Sequence, residues 1–264
     1  PVPFVAWPTA GLPGWAGAMD LVVVLAPLGA DPDTASAAAE AVRRGCQVVV
    51  ACPSRSLVAE HAAGRWTTLL PTVTGDQLAT AVVVLDFLDH GGLGPRADAE
   101  SVATALDDVA VACSPHRDLA VNPAKTLAIA LADAVPVVWG GSVLAARAAR
   151  RVAESLRRAS GRTAIAGDAE HLLPVLEAAA RRNVFDDPLV DGAAARPVLV
   201  VLDDGAEDPV LAEHRGRLRA AAAERGIRVE TLSTDATTEV ARYASLMLTG
   251  SYAAEYLGLA LVPG

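Results

Sequence analysis

The sequence predicts an α/β protein built of mostly parallel sheets flanked by helices. Three observations carry this. Short, continuous apolar runs such as Leu21–Leu25, Val135–Trp139 and Pro197–Leu202 read as strands covered on both faces. Ala-rich helical stretches alternate with them, the order that gives parallel strands and right-handed crossovers. One strand–helix–strand unit also occurs twice. Leu21–Ala51 and Val198–Leu232 each pass through a helix to an Arg-Gly pair, Arg44-Gly45 or Arg225-Gly226, and into a second strand. Two such units predict two similar doubly wound subdomains.

The elements follow in order. Leu21–Leu25 is a strand, and Asp33–Arg44 a helix with Asp31 or Asp33 near its start. Gly45 ends that helix at the position where glycine is favoured. Gln47–Ala51 and Thr67–Leu70 are strands, and Gly75–Asp89 is a long apolar helix. Gly91-Gly-Leu-Gly-Pro-Arg96 is the clearest linker, which divides the chain into domains 1–95 and 96–264. An acidic helix, Ala97–Ala112, opens the second domain. Asn122 suits an N-cap and Pro123 the first helical position after it. Val135–Trp139 is a strand ending in Gly140-Gly141-Ser142, and a helix runs from there to about Ser160. Thr163–Ala166 is a short strand, and His171–Arg182 a helix with Pro174 in its first turn. Residues 186–197, with three Asp, Gly192 and two Pro, form a loop. Pro197–Leu202 and Ile227–Leu232 are strands around the helix Asp208–Arg225. Thr237–Leu248 and Ser251–Leu261 close the chain as two helices.

Bulk composition narrows the function classes. The chain has 264 residues, enough for one large or two small domains. Hydrophobic residues make up 52% and charged ones 20%, so a large core forms and disorder is excluded. Alanine supplies much of that hydrophobicity and aromatics only 4%, which favours close-packed helices. A net charge of −9 argues against nucleic acid as a partner, since binders carry a basic face. The nearest candidate, Arg147, Arg150, Arg151, Arg157 and Arg158, reads as the solvated face of one helix. Cys46, Cys52 and Cys113 have no regular spacing, so neither a disulfide framework nor a metal site is expected. No cofactor is implied, and a cytoplasmic location is expected. No stretch has the length and apolarity of a membrane span, and none reads as a signal peptide. The chain begins at Pro1 without Met, and an N-terminal part of the first domain is expected to be missing.

A resemblance to a known family rests on several segments. They are Gly11-Leu-Pro-Gly-Trp15 leading into Asp20-Leu-Val-Val-Val24, Ala41-Val-Arg-Arg-Gly-Cys46, and Asn122-Pro-Ala-Lys125. Val135-Pro-Val-Val-Trp-Gly-Gly-Ser142, and Ala244-Ser-Leu246 through Tyr256-Leu-Gly-Leu-Ala260, complete the set. Together they resemble the bacterial phosphoglucose/phosphomannose isomerases, built from two SIS (sugar isomerase) domains, and within them the actinobacterial branch. The resemblance implies two SIS-like subdomains, a homodimer, and interconversion of phosphorylated aldoses and ketoses. That reaction needs a phosphate cradle, a ring-opening group, a base between C1 and C2, and stabilisation of the enediolate.

Residue by residue, the resemblance implies lost chemistry. The family's Ser-x-Ser-Gly-x-Thr phosphate loop falls on Ala26-Pro27-Leu28-Gly29-Ala30-Asp31. Gly29 survives, the hydroxyls do not, and Thr34 is the only hydroxyl nearby. Asp31 and Asp33 would repel a phosphate dianion. The base position falls on Arg158, and the expected Arg near Leu70-Pro71 is absent. His171, in Asp168-Ala-Glu-His171, is the candidate for ring opening. A closing Lys would lie beyond Gly264. The implied ligand cleft is Gly29, Thr34, Gly140, Gly141 and Ser142, for a sugar phosphate.

Each candidate also has a simpler reading. Gly140-Gly141-Ser142 opens a helix and could hold an anion, or Ser142 is only its N-cap. His171 is a catalyst or a surface histidine, and adjacent Glu170 points away from it. His61, His90 and His116 read as solvated. Lys125 faces either the cleft between the domains or solvent. Asp203-Asp204-Gly205 reads as an acidic turn rather than a metal site. The sequence therefore predicts a sugar-phosphate isomerase by descent with weak or lost catalysis, or else a non-catalytic sugar-phosphate-binding or dimeric interaction protein.

Overall fold

A computed structural model describes residues 2–7, 9–94, 97–180 and 195–261. The chain divides into two compact units, Pro1–Ala99 and Glu100–Gly264.

The first unit holds a three-stranded parallel sheet of β1 (Leu21–Leu25), β2 (Gln47–Cys52) and β3 (Thr67–Pro71), in that order. Helices α1 (Pro32–Arg43) and α2 (Leu57–His61) make the two crossovers and share one face. There Ala35, Ala38 and Ala41 of α1 and Val58 of α2 pack on Val24, Val48, Val50 and Cys52. Helix α3 (Gln77–His90) covers the other face, with Val84 and Leu88 against Ala51. Helices on both faces make β1 and β2 continuously apolar rather than alternating. Alanine on α1 lets the helix lie close to the sheet.

The second unit begins with α4 (Ala99–Ala112), a single 3-10 turn (Leu119–Val121) and α5 (Pro123–Leu131). Its sheet has the order β5-β4-β6-β7, all parallel. The strands are β4 (Ala134–Gly140), β5 (Ile165–Ala166), β6 (Arg196–Asp203) and β7 (Arg228–Ser233). Helices α6 (Val143–Ser160) and α9 (Glu239–Leu261) join α5 on one face, over Val138, Val200 and Leu202. Helices α7 (Ala169–Glu177) and α8 (Pro209–Arg225) cover the other, over Val137, Leu199 and Val201. Successive residues of β6 thus serve opposite cores, as the period of two requires.

The repeat read from the sequence is structural. Asp31-Pro32 and Asp208-Pro209 cap α1 and α8, and Gly45 and Gly226 end the two turns in the left-handed region (φ 76° and 63°). Asn122 caps α5 as expected, accepting from Lys125 N–H at 3.0 Å.

The structure corrects several boundaries. The two predicted closing helices are one, Glu239–Leu261. Gly250, in the gap between the two predicted ranges, lies where α9 presses on α6. A Cβ there would sit 2.8 Å from Val152 Cγ1. Helix α2 is unpredicted, being too short to show a period. Helix α7 ends at Glu177, where the sequence suggests Arg182, and α4 starts at Ala99 rather than Ala97. Residues 186–194 of the predicted loop, and 95–96 of the predicted linker, lie outside the described residues.

Candidate functional site

In the second unit, the chain leaves β4 through α6 toward β5, and leaves β6 through α8 toward β7. The two connections go opposite ways and use opposite faces. Ligands of open α/β sheets bind at such a switch point, beyond the carboxyl ends of the strands. The residues there are Gly140-Gly141-Ser142 after β4 and Asp203-Asp204-Gly205 after β6.

Gly140 is required for this turn, since a Cβ would sit 2.8 Å from Ala146 N at the start of α6. Gly141 lies beside the Trp139 ring and Leu211. Ser142 is the N-cap of α6, its Oγ accepting from Ala145 N–H at 3.0 Å. Its hydroxyl proton is donated to the Asp204 carboxylate. Asp204 also accepts from Ala206 N–H at 3.3 Å, and its carbonyl accepts from Arg242 Nη1 at 3.1 Å. Asp203 pairs with Arg215 at 2.8 Å. The acidic turn is therefore internally engaged. A helix N-terminus favours an anion, and here the anion beside α6 is the protein's own carboxylate.

The loop after β1 in the first unit is closed in a related way. Asp31 caps α1, accepting from Thr34 N–H at 2.8 Å and from the Thr34 hydroxyl. Hydrogen bonds from the Thr34 side chain and backbone hold the Asp31 carboxyl below its ordinary value. Thr34, the one hydroxyl near this loop in the sequence reading, thus serves Asp31. Gly29 has φ 65°, and its carbonyl accepts from Val58 N–H at 3.1 Å. A Cβ on Gly29 would lie 2.5 Å from Ser56 Oγ. Gly29 fits the loop against α2, a contact the sequence reading lacks.

The remaining candidates separate. His171 lies in the first turn of α7, with a side chain 80% exposed and its Nδ1 3.9 Å from the Asp168 carboxylate, itself on the surface. Arg158 is exposed and pairs with Glu154 at 2.7 Å, which also meets Arg151 at 3.0 Å. Arg157 donates to the Ala164 carbonyl at 2.6 Å. These contacts fit the reading of a solvated helix face. Lys125 Nζ donates to the carbonyls of Pro115 (2.7 Å) and Arg117 (2.9 Å), over the Tyr256 ring. Tyr256 in turn donates to the Cys113 carbonyl at 2.6 Å. Lys125 therefore ties down the loop before α5.

Cys46, Cys52 and Cys113 are buried and free. Burial raises the Cys46 thiol, helped by the Asp20 carboxylate, and burial also raises Cys113. Among the described residues, no group of three or more His, Cys, Asp or Glu is placed to hold a metal ion. Among them, too, no helix is long and apolar enough to cross a membrane. A shallow cavity of about 290 Å³ lies between α5 and β7, lined by Val121, Pro123, Thr126, Glu230 and Thr231 among others. None of the switch-point residues lines it.

Sequence reasoning names Ser142 and Asp204 separately but does not pair them. They lie 62 residues apart and meet only because β6 lies beside β4.

Comparison with known proteins agrees with this architecture. No curated protein matches the chain in sequence. Among solved structures, a glucose-6-phosphate isomerase like protein from Thermus thermophilus is similar at 19% identity. That likeness covers 96% of this chain and 86% of that one, with a TM-score of 0.54. Tagatose-6-phosphate ketose/aldose isomerase from Escherichia coli has a TM-score of 0.66 at 11% identity, over 95% of this chain and 72% of that one. The C-terminal domain of glucosamine-fructose-6-phosphate aminotransferase from Francisella tularensis has a TM-score of 0.61 at 13% identity, over 90% and 71%. At these identities the likeness shows a shared fold. The family model for the bacterial phospho-glucose isomerase C-terminal SIS domain matches residues 120–261, from the turn before α5 to the end of α9. The chain belongs to the bacterial phospho-glucose isomerase C-terminal SIS domain family.

Proposed function

We propose that the chain is a phosphoglucose/phosphomannose isomerase by descent, of the actinobacterial type, that has lost isomerisation. It keeps the scaffold as a cytoplasmic, homodimeric sugar-phosphate-binding or interaction protein. One observation carries this reading: the hydroxyl of Ser142 is committed to Asp204 at the N-terminus of α6. An incoming phosphate dianion would meet a carboxylate there, and like charges at close range repel. Thr34 and Asp31 repeat the arrangement at α1. The expected base position, Arg158, carries an exposed guanidinium paired with Glu154. General acid–base groups contribute about 10²–10⁴ in rate and electrostatic stabilisers about 10²–10³. Loss of both leaves little catalysis, and exposed His171 alone does not restore it.

The test is a coupled assay with glucose 6-phosphate and mannose 6-phosphate. The expected result is no turnover above background, unchanged in His171→Ala. Turnover of about 1 s⁻¹, the low end of ordinary enzymes, would overturn the reading. Retained binding is read separately by thermal shift with the same sugar phosphates. A ligand at about 100-fold over its Kd stabilises by about 2.7 kcal/mol, and a flat response excludes the binding role.

A further inference from the structure

Helix α6 carries five arginines against one glutamate, in a chain whose net charge is −9. Its C-terminal arginines are engaged, Arg157 by the Ala164 carbonyl and Arg158 by Glu154. Arg151 shares Glu154 with Arg158. Arg147 has no ion pair or hydrogen bond among the described residues. Arg147 and Arg151 are four residues apart, so two like charges share one face, a spacing that destabilises a helix. The first turn of α6 holds no acidic residue to offset them. Patterns that work against local stability are expected where a site needs them.

The packing of α9 brings a third group to this pair. A Cβ on Gly250 would meet Val152, Ser251 Oγ lies 3.4 Å from Ser155 Oγ, and a Cβ on Gly258 would lie 3.3 Å from the Ala159 Cβ. These contacts advance together along both chains, so the two helices run side by side in the same direction. Tyr243, seven residues before Gly250, is therefore level with the first two turns of α6. It packs half-buried on the core under α6. Burial pushes its phenol up, and the guanidiniums of Arg151 and Arg147 pull it back, which sets both beside the ring oxygen. Among the described residues the Tyr243 hydroxyl has no hydrogen-bond partner. A guanidinium has five N–H donors, and Glu154 takes one from Arg151 at 3.0 Å. Two positive charges and a free hydroxyl thus converge on the groove between α6 and α9.

We propose that Arg147, Arg151 and Tyr243 form an oxyanion site in this groove, which takes the phosphate of a phosphate monoester. A dianion balances the two guanidiniums, whose planar forks suit phosphate oxygens. The site lies about 7.5 Å along α6 from Ser142, at 1.5 Å per residue, clear of the cap that Asp204 closes. It rests on the reading of the chain as a sugar-phosphate binder, and it supplies the phosphate contact that the loop after β1 lacks.

Titration calorimetry of the 264-residue chain with inorganic phosphate at constant ionic strength tests this. Saturable binding is expected. Arg147→Gln is expected to raise Kd by about tenfold or more, the worth of a hydrogen bond to a charged group. Tyr243→Phe removes only a hydroxyl, so it stays informative if the first variant does not fold, and an increase of about threefold or more is expected. Arg150→Gln removes an equal charge from the same helix, but Arg150 lies beyond Arg147, farther round from α9. Its Kd is expected to stay within about twofold, since exposed charges at a distance are screened. No binding at ~10 mM phosphate, tenfold above a millimolar Kd, overturns the proposal. So does binding that neither Arg147→Gln nor Tyr243→Phe weakens, or that Arg150→Gln weakens as much. Glucose 6-phosphate and mannose 6-phosphate separate this site from the wider reading. If they fail to bind while phosphate behaves as described, the site stands and the sugar-phosphate role falls. If they bind and both variants leave their Kd unchanged, the role stands and the site falls.

Discussion

Asp204 is the residue whose replacement says most about the switch point. Its carboxylate accepts the Ser142 hydroxyl and the Ala206 N–H. Hydrogen bonds to a charged group are worth about 1.5–3 kcal/mol when buried. Both residues are only partly buried, which places this one near the lower end. A carboxylate near a helix N-terminus adds about 0.3–1 kcal/mol. Asp204→Ala should therefore destabilise the second unit by about 2 kcal/mol, or about 4–8 °C in Tm for a unit of this size. Ser142→Ala loses the same bond and the N-cap to Ala145, again about 2 kcal/mol. The double variant should fall short of the sum by about 1.5 kcal/mol, because the shared bond is lost only once.

The assay is thermal unfolding of the four proteins, each with and without inorganic phosphate. Removing the carboxylate exposes the α6 N-terminus to anions. Phosphate should then stabilise Asp204→Ala more than wild type, while chloride at equal ionic strength should not. Strict additivity of the two substitutions would refute the Ser142–Asp204 coupling. An identical phosphate response in wild type and Asp204→Ala would refute the idea that this carboxylate keeps anions out.

Three further outcomes follow from local geometry. Gly250→Ala brings a Cβ against Val152 and should destabilise by about 1–2 kcal/mol. Overpacking costs about 1–3 kcal/mol and helix propensity returns up to about 1; urea denaturation showing equal or greater stability would contradict the close approach of α9 to α6. The Asp31 carboxyl is depressed in the folded state, so its cap acts above the ordinary carboxylate range and is lost as pH falls through the folded value. By NMR the Thr34 amide should keep its capped shift to lower pH than a free aspartate would allow, and Asp31→Asn should remove that titration; an Asp31 titrating at or above the ordinary value would count against the cap. Cys46, Cys52 and Cys113 should resist a thiol reagent at pH 8 until the protein is denatured, because all three are buried; prompt labelling of any of them in the native protein would contradict their placement.

The sequence discloses these features unevenly, and the reasons are physical. Strands β1, β4 and β6 are legible because two-sided burial leaves an unbroken apolar run. The cap at Asn122 is legible because donor and acceptor lie three residues apart, and the same spacing narrows the cap of α1 to Asp31 or Asp33. Helix α2 is hidden by its five-residue length. The predicted closing helices part around Gly250, where glycine is unfavourable in a helix taken in isolation, whereas here it marks a close contact between two helices. A rule about local backbone freedom competes with a tertiary requirement, and the packing of α9 on α6 prevails.

Ser142 and Asp204 show the same limit at the site itself. Read locally, Ser142 ends a Gly-Gly turn and opens a helix, which describes an anion site as well as a simple cap. Asp204 belongs to an acidic turn with no stated partner. Strand order resolves both, since pairing β6 to β4 over seven positions brings the ends of the two strands together. The anion that α6 favours is then supplied from within the chain. At α1, Asp31 does the same from three residues away, where the sequence leaves the helix start between Asp31 and Asp33. Two helix N-termini in two separate units are thus satisfied by the chain's own carboxylates, one by a local contact and one by topology. An isolated substitution at the α1 loop is therefore a poor way to restore phosphate binding. Hydroxyls returned at Ala26 or Leu28 would still meet Asp31, so removing the carboxylate has to come before rebuilding the cradle.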